Sequence, residues 1–98
     1  SSTSRGRGDV YKRQPQKLAL DRHTDRRDVT VRWEPVKGAQ GYNVLWGIAP
    51  DKLYSSWMVY DGNELEMKSL TIDQDYYFAV EAFNENGVSL PSETKYVE

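Results

Sequence analysis

Between Val29 and Trp33 the residues alternate, with Val29, Val31 and Trp33 apolar and Thr30 and Arg32 polar, and the same period of two returns in three later stretches. It recurs at Tyr42-Asn43-Val44-Leu45-Trp46, at Glu64-Leu65-Glu66-Met67-Lys68 and across residues 76–83. Successive side chains point to opposite faces only in extended chain, so this pattern commits the protein to half-buried β-strands and excludes amphipathic helices as the main framework. The punctuation agrees. Pro35 ends the first run because it has no N–H to donate, and Gly38, Gly41, Pro50, Gly62 and Asn84-Glu85-Asn86-Gly87 supply turns between the others.

Two further strands follow from composition rather than alternation. Leu18-Ala19-Leu20 is a short first strand, residues 21–28 form a solvated turn, and residues 54–60 make a fourth strand apolar on both faces. Thr94-Lys95-Tyr96-Val97 is the returning last strand. Seven short strands in residues 15–98 predict an all-β, immunoglobulin-like, seven-stranded antiparallel sandwich. Cys is 0, so neither a disulfide framework nor a thiolate zinc site is available, and the core must hold the domain alone. Trp33, Tyr42, Trp46, Tyr76 and Phe78 occupy inward positions of their strands and are the expected core. No apolar run approaches the roughly 20 residues of a membrane helix.

Residues 1–14 are unlike the rest. They carry a net +3, from Arg5, Arg7, Lys12 and Arg13 against Asp9, so with the chain at −2 the remainder stands at −5. Ser1-Ser2-Thr3-Ser4-Arg5-Gly6-Arg7-Gly8 has no apolar periodicity, and the segment is expected to be a disordered tail. Asp9-Val10-Tyr11-Lys12-Arg13-Gln14 back-translates to a sequence resembling a transposon-end library adapter, which implies a reading frame truncated at its start. In such a tail the Arg7-Gly8-Asp9 triplet is not displayed on a tight loop and is expected to be inert. Four basic residues without a repeating interleaved aromatic pattern, ahead of an acidic domain, do not make a nucleic-acid arm.

Catalytic chemistry finds little purchase. Glu64 and Glu66 share a strand face, but Lys68 stands in the same row, and solvated surface charges account for all three better than a glycosidase carboxylate pair. Asp61, Asp73 and Asp75 lack calcium-loop spacing, and His23 has no second ligand in view, so no metal or other cofactor is expected.

From Pro15 onward the residues resemble the fibronectin type III family. Trp33 ahead of Pro35, Tyr42-x-Val44-x-Trp46, Leu70 six residues before Tyr76, the row Phe78, Val80, Ala82 and Asn84, and Gly87-x-Ser89-x-Pro91-Ser92 carry the likeness. The resemblance implies a tyrosine corner, in which the Tyr76 hydroxyl bonds loop backbone near Leu70; Ile72 stands where the family commonly has Pro. Gly38-Ala39-Gln40-Gly41-Tyr42 and the run from Trp46 through Gly47-Ile48-Ala49-Pro50-Asp51-Lys52-Leu53 to Tyr54 further resemble sandwich modules attached to bacterial, Bacteroidetes-type family 43 glycoside hydrolases. That resemblance implies a noncatalytic accessory or spacer domain of an extracytoplasmic polysaccharide-degrading enzyme, monomeric when isolated, whose partner is an upstream catalytic domain.

Two aromatic groups compete for a functional role. Leu45, Tyr77, Ala79 and Phe83 face away from the expected core and, with Trp57 at the adjacent edge, form a candidate domain interface. Tyr54, Trp57 and Tyr60 form the alternative, a platform for plant polysaccharide, and a cell-surface adhesion domain is a third reading supported only by the Arg7-Gly8-Asp9 triplet.

Overall fold

The computed structural model describes residues 14–60 and 62–97, so residues 1–13, with the Arg7-Gly8-Asp9 triplet, and Asp61 lie outside the described residues. Among those described there is no helix, and the strands run β1 Ala19–Arg22, β2 Val29–Arg32, β3 Gly41–Gly47, β4 Ser55–Val59, β5 Glu64–Met67, β6 Tyr76–Asn84, β7 Gly87–Val88 and β8 Lys95–Val97. A three-stranded sheet has the order β1-β2-β5; a five-stranded sheet has the order β4-β3-β6-β7, with β8 also on β6. All pairings are antiparallel. The expected sandwich is the one that forms.

Alternation translates directly into burial. Val29, Val31, Val44, Phe78 and Val80 are 0% exposed, and Trp33, Tyr42, Leu70 and Tyr76 join them in one core between the sheets. Each full burial of such a side chain contributes about 1.5–3 kcal/mol. Trp46, expected fully inside, is half-buried: it lies near the end of β3 and stacks on Phe78 with ring centroids 6.5 Å apart.

Eight strands stand where seven were expected, and beyond shifts of a residue the differences fall in three places. β1 continues through Asp21 and Arg22, inside the stretch read as turn, because both pair with β2, opposite Thr30 and Val29. Residues 54–60 narrow to β4. A short additional strand, β7, forms at Gly87–Val88 beside the expected hairpin turn, ahead of the expected last strand; between β7 and β8 Pro91 cannot extend a ladder, and two serines satisfy β6 there. Ala82 N–H donates to Ser89 Oγ and Val80 N–H to Ser92 Oγ, both at 2.9 Å, while the Ser89 and Ser92 N–H groups return bonds of 2.7 Å to the same residues' carbonyls.

Two tyrosine hydroxyls pin loops to the core. Val36 N–H donates to the Tyr42 hydroxyl at 2.8 Å, and Thr71 N–H donates to the Tyr76 hydroxyl at 2.9 Å, one residue past Leu70. The tyrosine corner therefore closes with Ile72 in place of Pro. Arg22 reinforces it: the guanidinium sits 5.3 Å from the Tyr76 ring centroid and donates to the carbonyls of Arg26 (2.6 Å), Thr71 (2.9 Å) and Gln74 (3.0 Å). That side chain ties the β1–β2 turn to the β5–β6 turn. Gln14, assigned to the tail by its sequence, donates to the Pro91 carbonyl at 3.2 Å, and Pro15 is buried.

Candidate functional site

The face of the five-stranded sheet turned away from the core is assembled by register. Leu45 on β3 lies opposite Ala79 on β6, Gly41 opposite Phe83, and Gly47 opposite Tyr77. Tyr77 in turn pairs with Tyr96 on β8, and Phe83 with Val88 on β7. On β4, Met58 is opposite Asn43 and Ser56 opposite Leu45, so both belong to this outer face. Leu45, Tyr77 and Phe83 are thus on one surface, each half-buried among its neighbours, while Ala79, expected to be exposed, is covered.

Two aromatic pairs mark the ends of the face. A Cβ on Gly41 would lie 2.5 Å from the Phe83 ring, so glycine there lets that ring lie across β3. Tyr60 meets the same ring edge-on, with centroids 5.8 Å apart at 85°. At the other end Tyr77 and Tyr96 pack at 5.4 Å. Three two-residue steps along a strand separate these ends, roughly 20 Å. Between them Asn43 Nδ2 donates to Glu81 Oε1 at 3.0 Å, which occupies the two polar groups in the middle of the surface with each other. Tyr60, Val88, Tyr96 and Met58 remain about half exposed or more, from 49% to 70%.

Trp57 does not belong to this face. It stands opposite Val44, a core residue, and so points to the core side of the sheet, at an edge where it stays 55% exposed. Tyr60 follows Val59, whose partner is the inward Tyr42, and its ring packs on outward Phe83. Trp57 and Tyr60 therefore lie on opposite faces, and together with Tyr54, 86% exposed, they do not form a single flat platform. Tyr96, Met58 and Val88 were not singled out from the sequence. The alternation of 94–97 could have flagged Tyr96, but only the pairing with Tyr77 gives it a neighbour.

The carboxylates weighed as a glycosidase pair stand in surface ion pairs, and His23 meets a hydroxyl. Glu64 bonds Arg32 across the strands, Lys68 Nζ stands 3.4 Å from Glu66, and His23 Nε2 meets Thr30 Oγ1 at 2.7 Å. Among the described residues no three His, Asp or Glu gather as a metal site would require. A cavity of about 80 Å³ beside Phe83, lined by Val36, Ala39 and Val88, falls well below the roughly 300–1,000 Å³ of small-molecule pockets. A larger groove of about 460 Å³ runs past Glu34 and Lys37 and has no second carboxylate, hydroxyl, thiol or imidazole side chain on its walls.

In the β1–β2 turn, hydrogen bonds from the Arg27 side chain, at 3.0 and 2.9 Å, and from its backbone N–H hold the Asp25 carboxyl down to about 2 from the ordinary 3.8. Because the folded value is depressed, the favourable contribution is present above about pH 4 and is lost as pH falls towards 2. The pair is fully solvated, so its weight in global stability is small. A carbon-detected titration should place the Asp25 midpoint near 2, and Arg27→Gln should return it towards 3.8. An unchanged midpoint in that variant would disprove the assignment.

Similarity to known proteins agrees with the fold. The sequence profile of the fibronectin type III domain matches residues 13–98. The chain belongs to the fibronectin type III family. No curated protein sequence matches it. Among solved structures, an Fn3-like protein from Clostridium thermocellum superposes with a TM-score of 0.78 at 18% identity, covering 86% of this chain and 88% of that one. A fibronectin type III domain of human collagen XX gives 0.70 at 20% identity, covering 86% and 88%, and the FN5 domain of Drosophila Lar gives 0.70 at 22%, covering 86% and 91%. At such identities the likeness is one of fold. Fibronectin type III domains are typically noncatalytic and commonly serve as spacer or adhesion modules.

Proposed function

We propose that this fibronectin type III domain is a noncatalytic accessory or spacer module of an extracytoplasmic polysaccharide-degrading glycoside hydrolase. Its five-stranded sheet docks, through Leu45, Tyr77 and Phe83, against a catalytic domain of the same polypeptide. The observation that carries the docking is the outer face itself, an apolar surface with aromatic pairs at both ends and its central polar groups bonded to each other. Sheet faces turned to water are ordinarily polar, and one carrying this many large aromatic and apolar groups around a single bonded polar pair favours a contact surface. The parent enzyme is inferred from the resemblance carried by residues 38–42 and 46–54.

Sugar binding is the weaker reading. An aromatic platform needs coplanar rings with free polar groups beside them for the hydroxyls, whereas Trp57 and Tyr60 are on opposite faces and Asn43 and Glu81 engage each other. The two readings part in one set of measurements. In the longer polypeptide encoded by the natural gene, Phe83→Asp with Leu45→Lys should lower the thermal midpoint by roughly 5 °C, while the isolated domain is retained on xylan and arabinan only at background. Tight retention that Trp57→Ala abolishes would replace docking with carbohydrate binding.

A further inference from the structure

We infer that the free edge of β4 is a self-association surface, on which a second copy of this chain adds its own β4 to form a continuous ten-stranded sheet about a two-fold axis. β4 ends the five-stranded sheet, so alternate N–H and C=O groups along its outer side have no strand partner among the described residues. Water can bond these groups one at a time, but another extended chain satisfies the row as a continuous ladder. The occupant is narrowed by charge. Residues 53–60 contain no Asp, Glu, Lys or Arg, and no Pro. The other sheet edges are each guarded: β1 carries Asp21 and Arg22, β5 carries Glu64 and Glu66, and Pro91 and Lys95 interrupt the β7–β8 side. Two copies of an uncharged edge set no like charges opposite each other, and the edge is self-complementary about a two-fold axis.

The register follows from parity. A two-fold axis normal to the sheet keeps outward residues outward, so paired positions must both be odd or both be even. Centring the overlap on the uncharged run then sets Trp57 opposite Trp57 of the other copy and Tyr54 opposite Tyr60. These are cross-strand aromatic pairs, the favourable kind. Tyr54, Trp57, Met58 and Tyr60 are 86, 55, 49 and 70% exposed, and together offer at most roughly 600 Å² per copy, at the low end for a specific interface. The dimer is accordingly weak, with a dissociation constant on the order of 100 µM, and the isolated domain is a monomer only in dilute solution.

Sedimentation equilibrium of the full chain from about 5 µM to 1 mM should follow a monomer–dimer curve. Amide exchange in β4 should slow at the upper end of that range. Trp57→Lys places two like charges across the axis, and should weaken association at least tenfold with an unchanged far-ultraviolet spectrum. Tyr77→Asp, on the outer face at the end away from the Tyr60–Phe83 pair, should leave association unaltered, which separates this edge from the docking face proposed above. In a chain without cysteine, oxidation of Trp57→Cys should trap a covalent dimer and Tyr54→Cys should not, since only position 57 meets itself. A chain that stays monomeric to 1 mM, or a dimer lost with Tyr77→Asp and kept with Trp57→Lys, overturns the inference.

Discussion

Gly47→Ala is expected to remove about 3 kcal/mol of unfolding free energy, the upper part of the range for an added methyl in a packed site. A Cβ at this position would stand 2.0 Å from the Lys52 carbonyl oxygen, 2.9 Å from its carbonyl carbon and 3.1 Å from the Leu53 Cα. All three are backbone atoms, so no rotamer change relieves the overlap, and the 48–53 connection would have to move off the end of β3. That end is also where Gly47 pairs with Tyr77, so the disturbance reaches the outer face. In denaturant unfolding the midpoint should fall with an unchanged slope, and the melting temperature should drop on the order of 15 °C. Gly38→Ala is the control: Gly38 has φ +85° and a methyl added there would meet nothing within 4 Å, so only the left-handed backbone costs energy, roughly 1–2 kcal/mol. A loss below about 1 kcal/mol for Gly47→Ala would show that the 48–53 connection yields freely.

Tyr76→Phe is expected to cost about 2 kcal/mol, because the ring stays in the core while the Thr71 N–H loses its acceptor. The effect should depend on Arg22. That guanidinium covers the Tyr76 ring and bonds the Thr71 carbonyl, so it and the hydroxyl hold the same turn from two sides. Arg22→Gln combined with Tyr76→Phe should therefore depart from additivity in chemical unfolding, as neighbours sharing one turn do. A neutral Tyr76→Phe would mean that solvent replaces the hydroxyl and that the corner is held by Arg22 alone.

These two sites differ in how far the sequence announced them. Tyr76 was legible: alternation put its ring inward, and its place six residues after Leu70 resembled the tyrosine corner of the fibronectin type III family, which implied a bond from its hydroxyl to the loop. Arg22 was not. It lay in a charged stretch that reads as solvated turn, and only the pairing of Arg22 with Val29 lifts it into β1 and aims it at the corner. Gly47 was part of a recognisable motif, yet its role depends on where residues 52 and 53 pass, which no local pattern specifies.

The local chemistry of the chain was enough for the class of fold, because a period of two allows only extended strands and the inward row of each strand must be covered. It also placed Leu45, Tyr77 and Phe83 outside the core, since the face of a strand residue depends only on whether its position is odd or even within that strand. Which outward residues become neighbours was decided by register between strands distant in sequence. That is how Tyr96 came to Tyr77, how Tyr60 came to Phe83, and why Trp57 was turned away from both. Alternation fixes a side chain's direction relative to its own strand, while contact between strands depends on loop paths and pairing offsets that carry no period at all.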